Sequence, residues 1–225
     1  MRMANRSVLV VEDDSLLREL LASALESKGY EVHSAGNVTD AKRIFRDIDP
    51  DGVVLDVDLG PGPNGFDFSQ IVTSESPGTG VVFLTQLPDS RFASFDTHLL
   101  PTNIAYIRKS ALADLRVLFD ALDMAMRGQV AVEHRHDLDL NRPFANLTKK
   151  QIEVLQLMAQ GKSNAQIAQA RGSSLKATED AIRRACTAIE IDGAQNGNSR
   201  ASAVAKYLSV VGIRFTGDLI TTEGL

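Results

Sequence analysis

Five polar residues stand at or just beyond the ends of short apolar runs. Glu12 and Asp13 follow Val8–Val11, Asp56 follows Val53–Leu55, Thr85 follows Val81–Leu84, and Lys109 closes Ala105–Arg108. Brought together, they have one chemical logic. Carboxylate oxygens from Asp13, Asp56 and Glu12 suit Mg²⁺, which takes a few carboxylates and keeps several waters. The cation neutralises Asp56 so that it can attack a phosphoryl group and form an acyl phosphate. Lys109 offers a point charge to the phosphoryl oxygens, and Thr85 a hydroxyl donor. An aspartate in an ordinary solvated loop would have no such company.

The elements that must position these groups are readable from period and punctuation. Val53, Val54 and Leu55 are a continuous β-branched and apolar run, which suits a strand covered on both faces of a parallel sheet. Val8–Val11, Tyr30–His33, Val81–Leu84 and Ala105–Ile107 read as four further strands. Between them run helical patterns. Leu16, Leu17, Leu20, Leu21, Ala24 and Leu25 share one face up to a stop at Gly29. Thr39–Ile48 and Phe66–Thr73 follow, and Ser110 is expected to cap a long helix through Arg127. Alternating strands and helices predict a doubly wound, five-stranded parallel α/β sheet of the flavodoxin-like kind. All the strand-end groups then lie on its carboxyl edge, where open α/β sheets place their sites. Leu87–Asn103, with Pro88 and Pro101 and a weak helical period, predicts a short or irregular segment.

Composition permits two ordinary domains in 225 residues, with 44% hydrophobic and 24% charged residues. No apolar run approaches the roughly 20 residues of a membrane span, and Val8–Val11 is too short for a signal peptide's apolar region. Cys186 is the only cysteine, which excludes an intrachain disulfide framework, and its apolar helical face predicts a buried, inert thiol. A cytoplasmic protein is expected. Residues 1–127 carry 12 basic and 19 acidic residues, whereas 147–214 carry 10 and 5. An acidic first half joined to a basic second half hints at a regulated nucleic-acid binder.

Val10-Val11-Glu12-Asp13-Asp14, Leu55-Asp56-Val57-Asp58-Leu59, Phe83-Leu84-Thr85 and Ala105-Tyr106-Ile107-Arg108-Lys109 resemble, in order and spacing, the receiver domain of two-component response regulators. The resemblance covers about residues 6–127, and the receiver is placed at 1–127. It implies Asp56 as the residue phosphorylated by a partner histidine kinase, with Glu12 and Asp13 in the acidic pocket. The backbone carbonyl of Asp58 is implied as a further Mg²⁺ ligand. Thr85 and Tyr106 match the family's switch pair, in which the hydroxyl moves to the phosphoryl and the ring turns inward. The chain departs from the family pattern around the acceptor. Gly60 replaces the usual proline, Gly65 arrives one residue late, Ser110 follows Lys109 where proline is usual, and Gln86 replaces a small residue.

Residues 128–146 lack a sustained period and read as a linker, and His134 and His136 read as solvated rather than metal-binding. A small all-α domain is expected over 147–213, with a polar tail at 214–225. Thr148–Gln151 and Ser163–Gln166 are capping boxes, and a shorter helix, an Arg171-Gly172-Ser173 turn and a helix capped by Ser174 form a helix-turn-helix pattern. Leu147-Thr148-x-x-Gln151-x-x-Val154-Leu155, Gly161–Ala168 and the later Arg200, Ala203 and Val204 resemble the LuxR-type output domain. That implies Leu175–Ile189 as a recognition helix in the DNA major groove. Ser174, Lys176, Thr178, Arg183 and Arg184 are the candidate contacts to double-stranded DNA. Asp192–Ser199 reads as an insertion, and Glu179 and Asp180 can pair with Arg183 and Arg184 at i,i+4.

These features lead to a phosphorylation-controlled transcription regulator that is a homodimer when active and is not an enzyme beyond self-phosphorylation and slow autodephosphorylation. Two other classes compete. A haloacid-dehalogenase-type phosphatase would use Asp56 and Asp58 as its Asp-x-Asp, but that motif normally ends the first strand and nothing after Lys109 resembles its later acidic motif. A signalling adaptor would use a divergent helix-turn-helix, marked by Glu179-Asp180, to bind protein or RNA.

Overall fold

The computed structural model describes residues 6–93, 100–101, 103–189 and 199–212. It divides into two compact units, Met1–Ala145 and Asn146–Leu225. In the first, β1 (Ser7–Val11), β2 (Glu31–Ala35), β3 (Gly52–Leu55), β4 (Gly80–Thr85) and β5 (Ala105–Arg108) form one parallel sheet in the order β2-β1-β3-β4-β5. Helices α1 (Ser15–Ser27), α2 (Val38–Ile48), α3 (Gly65–Glu75) and α4 (Arg116–Met126) connect and cover it. Strand side chains alternate between the two faces. Leu9, Val11, Val53, Leu55 and Phe83 join Phe45 and Phe66 in one apolar cluster. Val8, Val10, Val54 and Val82 join Leu21, Leu25, Leu118 and Leu122 in the other. Because both faces are buried, the strands carry unbroken apolar runs, as a parallel sheet requires.

Two segments differ from their sequence reading, and the β4–β5 connection matches it. The helix expected from Ser110 begins only at Arg116, after a 3-10 turn at Lys109–Ala111. Asp114 accepts the Arg116 N–H at 3.0 Å, a local bond that restarts the helix, while the turn leaves Lys109 aimed at the sheet edge. Between β4 and β5 the described residues form a 3-10 turn at Ser90–Ala93 and no α-helix, consistent with the prolines there.

The second departure is the expected linker. Residues 132–138 form two 3-10 turns, Val132–His134 and His136–Leu138, and they line the outer edge of β5. Arg135 pairs with Tyr106 in a parallel bridge, and the Arg108 N–H donates to His136 Nδ1 at 3.1 Å. Asp137 is buried and paired through two bonds with Arg135. Its polar composition concealed this, because the buried charges are neutralised by arginines two or more residues away.

The second unit holds α5 (Lys149–Ala159), α6 (Asn164–Ala170), α7 (Leu175–Ala188) and α8 (Ser199–Val211). Both capping boxes form, Thr148 with Gln151 and Ser163 with Gln166, and Ser174 caps α7. Ile152, Leu155, Met158, Ile167, Ala185, Ala203 and Tyr207 are buried among the four helices, as is the Cys186 thiol, whose pKa burial pushes up. Lys206 Nζ donates to the Ile189 carbonyl at 2.6 Å, closing the end of α7. Most of the Asp192–Ser199 insertion and the 214–225 tail lie outside the described residues. Among the described residues no helix is long and apolar enough to cross a membrane.

Two outcomes follow for stability. A Cβ on Gly65 would sit 2.1 Å from the Asp56 carbonyl oxygen, so Gly65→Ala is expected to cost about 2–3 kcal/mol. Gly78→Ala, with nothing within 4 Å, is the neutral control in denaturant unfolding of the full chain. The second outcome concerns pH. Burial and then Arg108 hold His136 below its usual pKa, against Asp139 and Asp137, with His134 adding to the lowering. The neutral ring accepts a hydrogen bond, so its contribution is present above the free-histidine pKa of about 6.5 and is lost as pH falls through the lower folded value. His136→Asn keeps an acceptor and removes the titration. Below about pH 6 the wild type is expected to lose roughly 1 kcal/mol relative to that variant, the worth of one hydrogen bond. Comparing the two proteins cancels Glu12, whose raised pKa acts in the opposite sense.

Candidate functional site: an acidic pocket at the sheet edge

Strand register builds this pocket. Val11 pairs with Leu55, so Glu12 and Asp56 leave adjacent central strands side by side. The Asp56 N–H donates to the Val11 carbonyl at 2.9 Å and the Glu12 N–H to Ala35 at 3.1 Å, which carries the ladder one step past the strands. Thr85 pairs with Arg108, so Lys109 emerges one residue later on the same edge. Chain order reverses between β1 and β3, the topological switch point at which such sheets open a crevice.

Lys109 Nζ donates to Asp56 Oδ2 at 2.7 Å and reaches Glu12 at 2.8 Å. Both carboxylates are nearly dry, Glu12 1% and Asp56 2% exposed. Burial first, and then the charge of Asp56, push Glu12 up to about 7, although Lys109 pulls the other way. Burial also works against the ammonium, but Asp56 and Glu12 outweigh it and hold Lys109 above its usual range. Both shifts have one geometric origin: among the described residues, two buried carboxylates share the ammonium of Lys109. Asp13, exposed at the rim, adds a third carboxylate, and oxygens of Glu12, Asp13 and Asp56 lie within 4.8 Å of one another. A deficit of positive charge lined by oxygen donors fits a hard divalent cation.

The backbone around the pocket is held in place. The Asp58 N–H donates to Asp56 Oδ1 at 3.2 Å, so both acceptor oxygens are oriented. Asn64 caps α3 in a capping box with Asp67, and the Gly65 N–H donates to the Val57 carbonyl at 2.8 Å. Gly60 and Gly62 adopt φ of 81° and 116°, which absorbs the extra residue that delays Gly65. Arg18 was not singled out from the sequence. Its Nη1 donates to the Glu12 carbonyl at 2.6 Å and the Asp13 carbonyl at 3.3 Å, pinning the acidic loop from α1. A basic residue in the first turns of a helix, opposed by the macrodipole, was the available signal.

Thr85 is buried, and its hydroxyl accepts the Leu87 N–H at 3.3 Å. The Tyr106 ring points inward, fully buried 6.0 Å from Phe83, and its hydroxyl donates to the Leu87 carbonyl at 3.1 Å. Leu87 therefore touches both candidate switch residues. Gln86 is exposed.

On the second unit, Lys176, Arg183 and Arg184 are exposed on α7. Arg183 pairs with Asp180 at 2.8 Å, an i,i+3 contact in place of the i,i+4 pairs anticipated. Ser174 is exposed, but its hydroxyl accepts the Ala177 N–H as a cap. Thr178 is 0% exposed and its hydroxyl pairs with Ser173 at 2.9 Å. It braces the turn of the helix-turn-helix and offers no outward donor, because its place on α7 faces α6 and the core.

Residues 8–95 match the family described as response regulator receiver domain, and residues 145–176 match the LuxR family of bacterial regulatory proteins. The DNA-binding response regulator MtrA of Mycolicibacterium paratuberculosis is 37% identical over 83 residues, spanning 37% of this chain and only 36% of that relative. The oxygen regulatory protein NreC of Staphylococcus haemolyticus is 25% identical across 76% of this chain and 85% of its own. Among solved structures, RcsB of Salmonella enterica serovar Typhimurium, bound to the promoter rprA with the phosphomimetic BeF3-, covers 89% of this chain and 99% of its own at TM-score 0.55 and 18% identity, a likeness of fold. Matched motifs, a parallel sheet with an acidic carboxyl edge and a following helix-turn-helix place this chain among the response regulators, with a receiver domain followed by a LuxR-type output domain.

Proposed function

We propose that Asp56 is a phosphoacceptor through which a cytoplasmic histidine kinase controls DNA binding by the second unit, and so transcription. The observation that carries this reading is Lys109 bridging Asp56 and Glu12 in a dry pocket with a deficit of positive charge. An Asp56 carboxylate oxygen attacks the phosphorus of a kinase phosphohistidine, the P–N bond breaks, and the imidazole leaves with a proton from solvent. Lys109 moves its contact to the phosphoryl oxygens, and the Thr85 hydroxyl donates to them. Glu12, Asp13, Asp56 and the Asp58 carbonyl would hold Mg²⁺, which when bound offsets negative charge on acceptor and phosphoryl. Water later hydrolyses the acyl phosphate. The chain is a switch with self-phosphorylation and slow autodephosphorylation, not a multiple-turnover enzyme.

For the output, α7 enters the major groove with Lys176, Arg183 and Arg184 toward DNA, and Ser174 sits at the helix N-terminus by the backbone. Two copies straddle a roughly palindromic site. RcsB, whose fold this chain resembles across 89% of its length, is bound to a promoter in its solved structure. A second reading, an adaptor whose helix binds protein or RNA, draws on the Asp180–Arg183 pair, which withdraws one of the few cations on α7.

Selection from a pool of random duplexes distinguishes the two. Beryllofluoride with Mg²⁺ is expected to strengthen binding to one enriched site in the wild type and to leave Asp56→Asn unresponsive. Arg183→Ala/Arg184→Ala is expected to weaken binding about tenfold or more, with a shallower salt dependence. Absence of salt-sensitive duplex binding in every state would favour the adaptor. Labelling from acetyl phosphate reports the receiver separately, and is expected to vanish in Asp56→Asn.

A further inference from the structure

The outer edge of β5 is closed by residues 131–145, here termed the strap, and three sets of contacts hold it. At one end Arg135 bridges Tyr106 and the Arg108 N–H donates to His136. In the middle Asp137 is buried against Arg135. At the far end Asp89, 0% exposed on the β4–β5 connection, accepts from Arg91 at 2.6 and 2.8 Å and from Arg142 Nε of the strap at 2.7 Å. Arg91 also donates to the Phe144 carbonyl at 3.2 Å, and the Phe144 ring lies 5.9 Å from Phe92. Phe144 keeps a φ of 59°, a left-handed conformation that a bulky residue holds only when its surroundings impose it. The strap is thus docked under strain through a buried ion pair.

Both ends of this docking reach the phosphoacceptor pocket within a few residues. Thr85 accepts from the Leu87 N–H, Leu87 accepts from Tyr106, and Asp89 lies two residues further on. On the other side Lys109 holds Asp56, and its neighbour Arg108 holds His136. We propose that the strap is a latch coupled to the state of Asp56, released when a phosphoryl group recruits Thr85 and Lys109. This rests on the phosphoacceptor reading above. A Thr85 hydroxyl drawn to the phosphoryl oxygens gives up the Leu87 N–H, and the shift of Leu87 carries Asp89 away from Arg142. A buried ion pair depends on close geometry, so a small displacement weakens it strongly. Asp89 keeps Arg91 as a partner after release, so no bare carboxylate is left behind and the latch can reopen and reclose. Freed, residues 131–145 become the tether that precedes the second unit.

Coupling is reciprocal: if the phosphoryl mimic loosens the strap, loosening the strap tightens the mimic, by at most the same factor. The experiment is amide hydrogen exchange of the strap in the full chain, with and without beryllofluoride and Mg²⁺, alongside titration of beryllofluoride by thermal shift. Strap amides of the wild type are expected to exchange about tenfold faster with beryllofluoride, and those of Asp56→Asn to be unaffected. Arg142→Gln is expected to exchange fast throughout and to bind beryllofluoride several-fold more tightly. Phe144→Gly, which relieves the backbone and removes the ring contact, tests the same coupling should Arg142→Gln fail to fold. Asp56-dependent beryllofluoride binding with strap exchange unchanged or slowed, or with the variants within twofold of wild-type affinity, would overturn the latch and leave the receiver reading intact. No Asp56-dependent binding would overturn both.

Discussion

One shared cation organises the receiver unit. Lys109 stands between Asp56 and Glu12, two carboxylates almost without solvent, and the pair cannot be neutralised by one ammonium. Everything nearby serves that imbalance. The register of β1 and β3 sets the carboxylates side by side, Arg18 pins the carbonyls behind them, and the turn at Lys109–Ala111 brings the ammonium over the edge. A pocket held this way presents grouped carboxylate oxygens that fit a hard cation, because the electrostatic cost of assembling it is met when the unit folds.

A second constraint lies along the edge of the sheet. An exposed terminal strand in a parallel sheet leaves unpaired backbone groups. Here the segment after α4 returns to β5 and satisfies one of them through a histidine nitrogen, while its buried aspartate and that of the β4–β5 connection are held by arginines. Leu87 touches both Thr85 at the acidic edge of the sheet and Tyr106 on the strand that residues 131–145 cover.

The output unit keeps its helix-turn-helix through caps and one brace at the turn. Capping boxes at Thr148 and Ser163 start its first two helices, and the Ser173–Thr178 pair braces the turn. These serve folding. What remains for a ligand is a short outward row on α7 in which Asp180 already holds Arg183.

The five strands, the acidic edge and most helix starts were legible in the sequence, because each rests on local rules. Buried parallel strands need unbroken apolar runs, a polar residue ending such a run has few places to go, and a capping box joins residues three apart. Asp56, Glu12, Thr85 and Lys109 could therefore be named from their positions along the chain. Only the tertiary structure decided what depends on partners far away in sequence. It buried Thr178 and turned residues 131–145 from a polar linker into a docked strap. Buried charge is the reason: no local pattern marks Asp89 and Asp137 as buried, and Arg142, which pairs with Asp89, is 53 residues from it along the chain.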